Sequence, residues 1–444
     1  MKIFFISLGC DKNRVDSEKM LSILTREGYE LTDDPEETEI AVVNTCSFIL
    51  DAQDESVNAI LEMADLKQSG QLKALIVTGC LAQRYLEDIR EEIPEVDGVL
   101  GTNSYDKIAS AVKNALESRV TVDAAPLDFI PDAGTSRFMT PPFHYSYLKI
   151  AEGCDKHCTY CAIPSMRGSY RSVPMEDLLE ETRYLCDNGA EEIILVAQET
   201  TVYGVDLYGR KSLPELIGKI SAVEGVKRIR LLYCYPEEIT DELIDVIKSN
   251  EKVCHYLDIP IQHIDDDILR RMGRRTDGAS IKGLIKRLRD AVPDICLRTT
   301  LISGFPGETQ EAHERLVDFV KTTGFDRLGV FTYSPQEGTP AASFGDQVDE
   351  DVAFERKDEI LLAQRDISAG INDGLVGRVL DTVVEGRIPD DGVYVGRTYR
   401  DAPDVDGYMF FKSDRDLMSG DVVAVRVTGA SEYDLEGVEN EFAQ

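Results

Sequence analysis

The stretch from Tyr145 to Ile150, YSYLKI, is followed two residues later by Gly153-Cys154-Asp155-Lys156-His157-Cys158-Thr159-Tyr160-Cys161. A short apolar run of this kind reads as a strand, and a C-x3-C-x2-C loop hangs from its end. Three thiolates so spaced can hold three irons of a four-iron cluster and leave the fourth iron open to another ligand. The competing reading is a structural zinc site with His157 or Cys186 as fourth ligand. Structural zinc usually shows paired C-x2-C spacings, and a second pair is missing here.

Downstream of this loop, strand and helix alternate. Strands are expected at EIILVA, RIRLLY, YLDIPI, CLRTTL and GVFTY, and helices at Met175–Asn188, Glu237–Ser249, Ser280–Ala291 and Thr309–Thr323. With YSYLKI this makes six βα repeats, a partial (β/α)6 barrel whose chemistry belongs at the C-terminal strand ends. Upstream, the runs IFFISLG, EIAVVNT and ALIVTG are separated by the amphipathic stretches Ser17–Arg26 and Asp54–Leu66. They predict a parallel α/β domain. The three runs end at Cys10, Cys46 and Cys80, spaced 36 and 34 residues apart, about one βαβ unit each. Parallel strands bring their C-terminal ends to one sheet edge, so these cysteines can meet there. The bland alternative is three buried strand-end cysteines.

Pro126, Pro131, Pro141 and Pro142 mark a linker. Beyond the amphipathic stretch Asp351–Ser368, short β-branched runs broken by Gly and Asp predict a small antiparallel β-barrel. The fold class is therefore α/β, divided as 1–120 for the N-terminal α/β domain, 121–139 for the linker, 140–368 for the barrel and 369–444 for the C-terminal barrel.

The 444 residues carry 82 acidic against 48 basic side chains, a formal charge of −34. Phosphate backbones repel such a chain unless a local basic patch compensates, so a basic partner is expected, the alternative being that the acidity only keeps the protein soluble. Between Ile371 and Gln444 the balance is 16 acidic to 7 basic. A local basic face could still form there from Arg397, Arg400, Lys412 and Arg415 and contact nucleic acid. The opening residues read as a strand, not a signal peptide, and no apolar run reaches the ~20 residues of a membrane helix. A soluble, cytoplasmic protein without membrane contact is expected. Of the ten cysteines, Cys186, Cys234, Cys254 and Cys296 match no cluster pattern and read as core residues, as do the lone histidines His255 and His263 as structural ones.

The cluster loop on the first strand of a βα barrel resembles the radical-SAM superfamily. The stretch Ser7 to Glu18, SLGCDKNRVDSE, resembles the opening motif of the methylthiotransferases, most of all the RimO-type branch that modifies a ribosomal protein. EGCDKHCTYCAIPSMRGSYRS, LVAQETTVYG, YLDIPIQH, TTLISGFPGET and FTYSPQEGTPA match as well, and the C-terminal barrel is similar to a TRAM domain. The resemblance covers nearly the whole chain. One departure is Asp11, where this branch has proline.

The resemblance implies two 4Fe-4S clusters. Cys154, Cys158 and Cys161 hold the one that binds and cleaves S-adenosylmethionine. Cys10, Cys46 and Cys80 hold an auxiliary cluster, whose open iron takes the sulfur to be inserted. Tyr160 is expected near the adenine, and Gln198 and Glu199 near the amino group. Arg298 could reach the carboxylate with its planar fork. For these last three residues a satisfied strand-end polar role is the alternative. No catalytic residue beyond the cluster ligands is assigned. The implied reaction places sulfur and methyl on the β-carbon of an aspartate of small-subunit ribosomal protein S-twelve, with two S-adenosylmethionine molecules, a reductant such as flavodoxin or ferredoxin, and a sulfur donor. The TRAM module would dock the substrate protein, with the clusters independent of it. Competing readings are a tRNA adenosine methylthiotransferase of the same fold, a non-catalytic iron–sulfur electron-transfer or scaffold protein, and a zinc-stabilised RNA-binding protein.

Overall fold

The computed structural model describes residues 1–131, 136–389 and 392–440. Its first sheet is built from β1 (Lys2–Ser7), β2 (Glu30–Thr32), β3 (Ile40–Thr45), β4 (Ala74–Gly79), β5 (Gly98–Leu100) and β6 (Thr121–Asp123). The order is β2-β1-β3-β4-β5-β6, with parallel pairing throughout. β3 and β4 are buried along their whole length, as central strands covered on both faces must be. Helix α1 (Asp11–Arg26) follows β1, α2 (Leu50–Gln68) follows β3, and α3 (Cys80–Arg84) follows β4.

Two boundaries differ from expectation. β6 lies inside the stretch read as a linker, so the first domain runs past residue 120. The chain around Arg137 is a packed strap between the domains. Buried Arg137 donates to Glu18 of α1 and, at 3.0 Å, to Glu181 of the barrel, and Phe138 N donates to Glu18 O at 3.0 Å. Proline content hid a segment that neutralises carboxylates of two domains. Residues 132–135 of the expected linker lie outside the described residues.

The second sheet contains β7 (Tyr145–Lys149), β10 (Glu192–Val196), β11 (Arg228–Leu231), β12 (Val253–Asp258), β13 (Cys296–Ser303) and β14 (Arg327–Thr332). The order β14-β13-β12-β11-β10-β7 is parallel and open between its two edge strands, a partial barrel. Two short strands, β8 (Ala151–Glu152) and β9 (Arg171–Ser172), pair antiparallel around the cysteine loop. The closing helix spans Glu350–Asp373, five residues past the expected boundary.

The C-terminal barrel closes in the order β15 (Val379–Ile388), β16 (Val393–Arg397), β17 (Met409–Lys412), β19 (Leu435–Glu439), β18 (Val422–Ala430). Its β17–β19 pair is parallel, a correction to a wholly antiparallel barrel. The module is not separable. The segment after β16 reaches the N-terminal end of the larger barrel, where Arg327 donates to Asp401 at 2.6 Å and Tyr256 donates to Asp406 at 2.7 Å. Ala402 packs with the barrel residues Ile194, Tyr256 and Cys296, and Val15 of α1 joins the same cluster. The partial barrel is thus filled by both neighbouring domains. Among the described residues no helix is long and apolar enough to cross a membrane.

Candidate cluster and cofactor sites

The polar motif at the start of α1 is a buried junction. Lys12, Asn13, Asp16, Ser17 and Glu18 are all buried, which charged and polar residues tolerate only when paired. Asn13 donates to Leu8 O at 2.7 Å and to Thr45 O at 3.2 Å. Lys12 lies over the Tyr233 ring, 3.2 Å from its centroid, and Tyr233 donates to Asp11 at 3.1 Å. These contacts fix the turn that carries Cys10.

Adjacent parallel strands bring the first cysteine triplet to one edge. Ser7 pairs with Asn44 and Thr45 with Gly79, so Cys10, Cys46 and Cys80 follow three neighbouring strand ends. Gly9 has φ +87°, and a Cβ there would meet Cys46 Cβ at 2.8 Å and Sγ at 2.9 Å. Only glycine lets the two loops approach this closely. Ser56 Oγ accepts from Cys46 N and donates to Cys46 O, both at 3.0 Å. Cys46 and Cys80 are buried, and Cys10 is exposed. Burial pushes the Cys46 thiol up to about 12, and charge on Cys80 and Cys10 adds to the shift, so the three thiols lie within electrostatic reach of one another.

The second triplet lies at the C-terminal end of β7. Gly153 has φ +81°, and a side chain there would collide with Ser169 O. Cys154 N donates to Gly168 O at 3.1 Å, and Cys161 N to Cys158 O at 3.0 Å. Burial raises Cys154 to about 11 and Cys161 to about 12. Thiols in such surroundings give up protons to a strong cation and otherwise stay neutral. Among the described residues no three His, Cys, Asp or Glu side chains close on one ion position. A four-iron cluster instead spreads its ligands over separate corners.

Sequence reasoning missed several neighbours of this loop. Tyr235 OH stands 3.2 Å from Cys158 Sγ, and the Arg274 guanidinium lies 4.1 Å from the Tyr235 ring centroid. Lys156 pairs with Glu238 and, at 3.3 Å, with Glu199. The Tyr235-Pro236 step after β11 was the available signal. The Gly304–Glu308 turn places Phe305 edge-on to Tyr160, with ring centroids 6.3 Å apart. Glu308 accepts from Gly304 N and Phe305 N, which accounts for the tight turn.

Gln198 and Glu199 follow β10 beside the loop. Gln198 Nε2 donates to Glu152 at 2.7 Å. Gln198 Oε1 is buried without a hydrogen-bond donor, while Glu199 Oε2 faces the Lys156 ammonium at 3.3 Å. An unsatisfied acceptor beside a buried carboxylate suits a cationic amine. Burial pushes the Glu199 carboxyl up to about 7, against the opposing pull of Lys156. Arg298 has other partners: it donates to Asp258 at 2.9 Å, and its Nε stands 3.4 Å from Asp406 of the C-terminal module. It shows the satisfied strand role more than an open fork. His263 Nδ1 accepts from Asp265 N at 3.0 Å, and His255 lies 2.7 Å from Asp294.

A cysteine loop on the first strand of a six-stranded parallel barrel, backed by a small β-barrel, defines a radical-SAM protein with a TRAM module. Family profiles agree: "Uncharacterized protein family UPF0004" matches residues 2–101, "Radical SAM superfamily" 148–320 and "TRAM domain" 376–438. Among solved structures, the radical S-adenosylmethionine methyltransferase TsrM of Kitasatospora setae shares the fold, with a TM-score of 0.55 at 14% identity over 86% of this chain and 77% of that one. "Ribosomal protein uS12 methylthiotransferase RimO" of Lachnoclostridium phytofermentans is 58% identical over 98% of this chain and 99% of its own length. Its namesake in Clostridium botulinum is 48% identical over 99% and 98%. The chain belongs to the RimO family of radical-SAM methylthiotransferases.

Proposed function

We propose that the chain places a methylthio group on the β-carbon of an aspartate of ribosomal protein uS12. Cys154, Cys158 and Cys161 would hold one 4Fe-4S cluster, and Cys10, Cys46 and Cys80 a second. When bound, the first cluster and S-adenosylmethionine supply a radical able to remove hydrogen from an unactivated carbon, and the second supplies the sulfur. Gln198, through its unsatisfied Oε1, and Glu199, through its carboxylate, would hold the amine. Tyr160, braced by Phe305, would flank the adenine. Arg298 would take part through the position of Asp258, which also accepts from Tyr233 N. A flavodoxin- or ferredoxin-like reductant and a sulfur donor complete the requirements.

The observation that favours protein over tRNA is the fate of the C-terminal arginines. Arg397 and Arg400 are buried against Glu192, Glu385 and Asp326, and Arg415 pairs with Glu439. Lys412 alone remains of the basic face, too little to neutralise a phosphate backbone. The exposed acidic side chains of the module would instead attract a basic ribosomal protein. Incubating the reconstituted enzyme anaerobically with S-adenosylmethionine, dithionite, sulfide and uS12 tests this. A mass gain of one methylthio group on an aspartate supports the reading, and unmodified uS12 with active S-adenosylmethionine cleavage refutes it.

A further inference from the structure

We infer that Arg167 is a positioning residue for the auxiliary cluster, fixing the Cys80 corner and raising the ease with which that cluster accepts an electron. The inference rests on the assignment of Cys10, Cys46 and Cys80 as cluster ligands.

Arg167 ends the helix Ile163–Arg167, six residues after Cys161, so the segment that supplies the last ligand of one triplet ends beside the last ligand of the other. Its guanidinium is buried. Nη1 donates to Asp16 at 2.6 Å and to Glu152 at 3.1 Å, and Nη2 donates to Asn13 at 2.9 Å. These partners come from α1 and β8 and determine the plane of the fork. The third nitrogen, Nε, is aimed at Cys80 Sγ at 3.4 Å. Gly168, with φ +75°, turns the chain immediately afterwards, and Met166 O accepts from Thr102 at 2.6 Å, which holds the helix against the first domain. Lys149 also bridges Asp16 and Glu152, and with Arg167 it balances the two buried carboxylates. What Arg167 adds is a fixed, always charged donor on a ligand sulfur.

A donor and a positive charge at a ligand thiolate stabilise the cluster more after it has gained an electron, so the reduction potential rises. Glu152 also accepts from Gln198. The same carboxylate therefore borders the proposed amine pocket and orients the arginine that faces Cys80.

The test is an EPR-monitored redox titration of full-length protein, reconstituted with iron and sulfide, in a Cys154/Cys158/Cys161→Ala background. Only the auxiliary cluster then contributes. Arg167→Met is expected to keep the cluster's iron and shift its potential downward. Arg167→Lys, which keeps charge but lacks the fork, is expected to shift it less, and it carries the test if the methionine variant does not fold. Unchanged potential in the folded variants overturns the inference alone. Absence of any cluster in the background protein overturns the two-cluster assignment and this inference with it.

Discussion

Arg397 of the C-terminal barrel and Glu192, the first residue of β10, form a buried ion pair at 3.2 Å. Arg230 donates to the same carboxylate at 2.7 Å, and Arg397 also pairs with Glu385 at 2.6 Å. Burial alone would raise the Glu192 carboxyl, but Arg397 and then Arg230 hold it below the usual carboxylate range. Removing one partner of such a buried network costs about 3–5 kcal/mol, because the remaining charge is left without compensation.

Arg397→Met should therefore lower the thermal midpoint of the whole protein and not of the last module alone. Truncation after residue 373 should yield aggregated or unstable protein, since Arg230, Arg327 and Tyr256 lose their partners. Differential scanning calorimetry checks this. A truncated chain with the parent's midpoint would show the module to be dispensable for folding.

Cluster assignment predicts a division of iron. Cys154/Cys158/Cys161→Ala should retain about half the iron and form no 5′-deoxyadenosine. Cys10/Cys46/Cys80→Ala should also retain about half, yet still cleave S-adenosylmethionine. Iron and sulfide analysis with product quantification reads both, and full iron in either variant would contradict the ligand sets.

Gly9→Ala should damage the auxiliary site selectively. The added Cβ meets Cys46 Sγ at 2.9 Å on a backbone with φ +87°, a strain of about 1–3 kcal/mol. Iron bound by Cys154, Cys158 and Cys161 should persist while auxiliary iron falls, as read by Mössbauer spectroscopy. A variant spectrum with both clusters intact would argue against the close approach of these loops.

Glu199 predicts a pH dependence of cofactor binding. With its carboxyl at about 7, the group is neutral at lower pH and charged above. Affinity for the cationic amine should weaken as pH falls through 7. The sign for stability is opposite: the native state retains a proton that the unfolded chain has released, so this group's contribution is largest in acid and diminishes as pH rises towards 7. Glu199→Gln should weaken binding by about tenfold to a hundredfold, the range for a charge-assisted hydrogen bond, and remove the pH step. Calorimetric titration at pH 6 and pH 8 measures both. An unaltered pH profile in the variant would exclude Glu199 as its source.

Much of this was legible in sequence, for definite reasons. The C-x3-C-x2-C spacing is local, and the βα periodicity that puts Cys10, Cys46 and Cys80 at strand ends repeats along the chain. The first turns of α1 were harder to read as helix, because Lys12, Asn13 and Asp16 are polar and their burial depends on partners far away, such as Lys149 and Arg167. Arg397 and Arg400 read as a surface face because nothing near them in sequence announces Glu192 or Asp326. Arg298 had the chemistry of a carboxylate fork, but tertiary packing gives it Asp258 and Asp406 as partners. Local patterns carry ligand spacing, while long-range pairing decides which charges remain available.

The most direct test of the central claim is a competition. The reconstituted enzyme receives uS12 and bulk tRNA together, with S-adenosylmethionine, dithionite and sulfide, and both macromolecules are analysed by mass spectrometry. The account predicts one methylthio group on an aspartate of uS12 and unchanged tRNA nucleosides. A methylthioadenosine in the tRNA beside unmodified uS12 would contradict it.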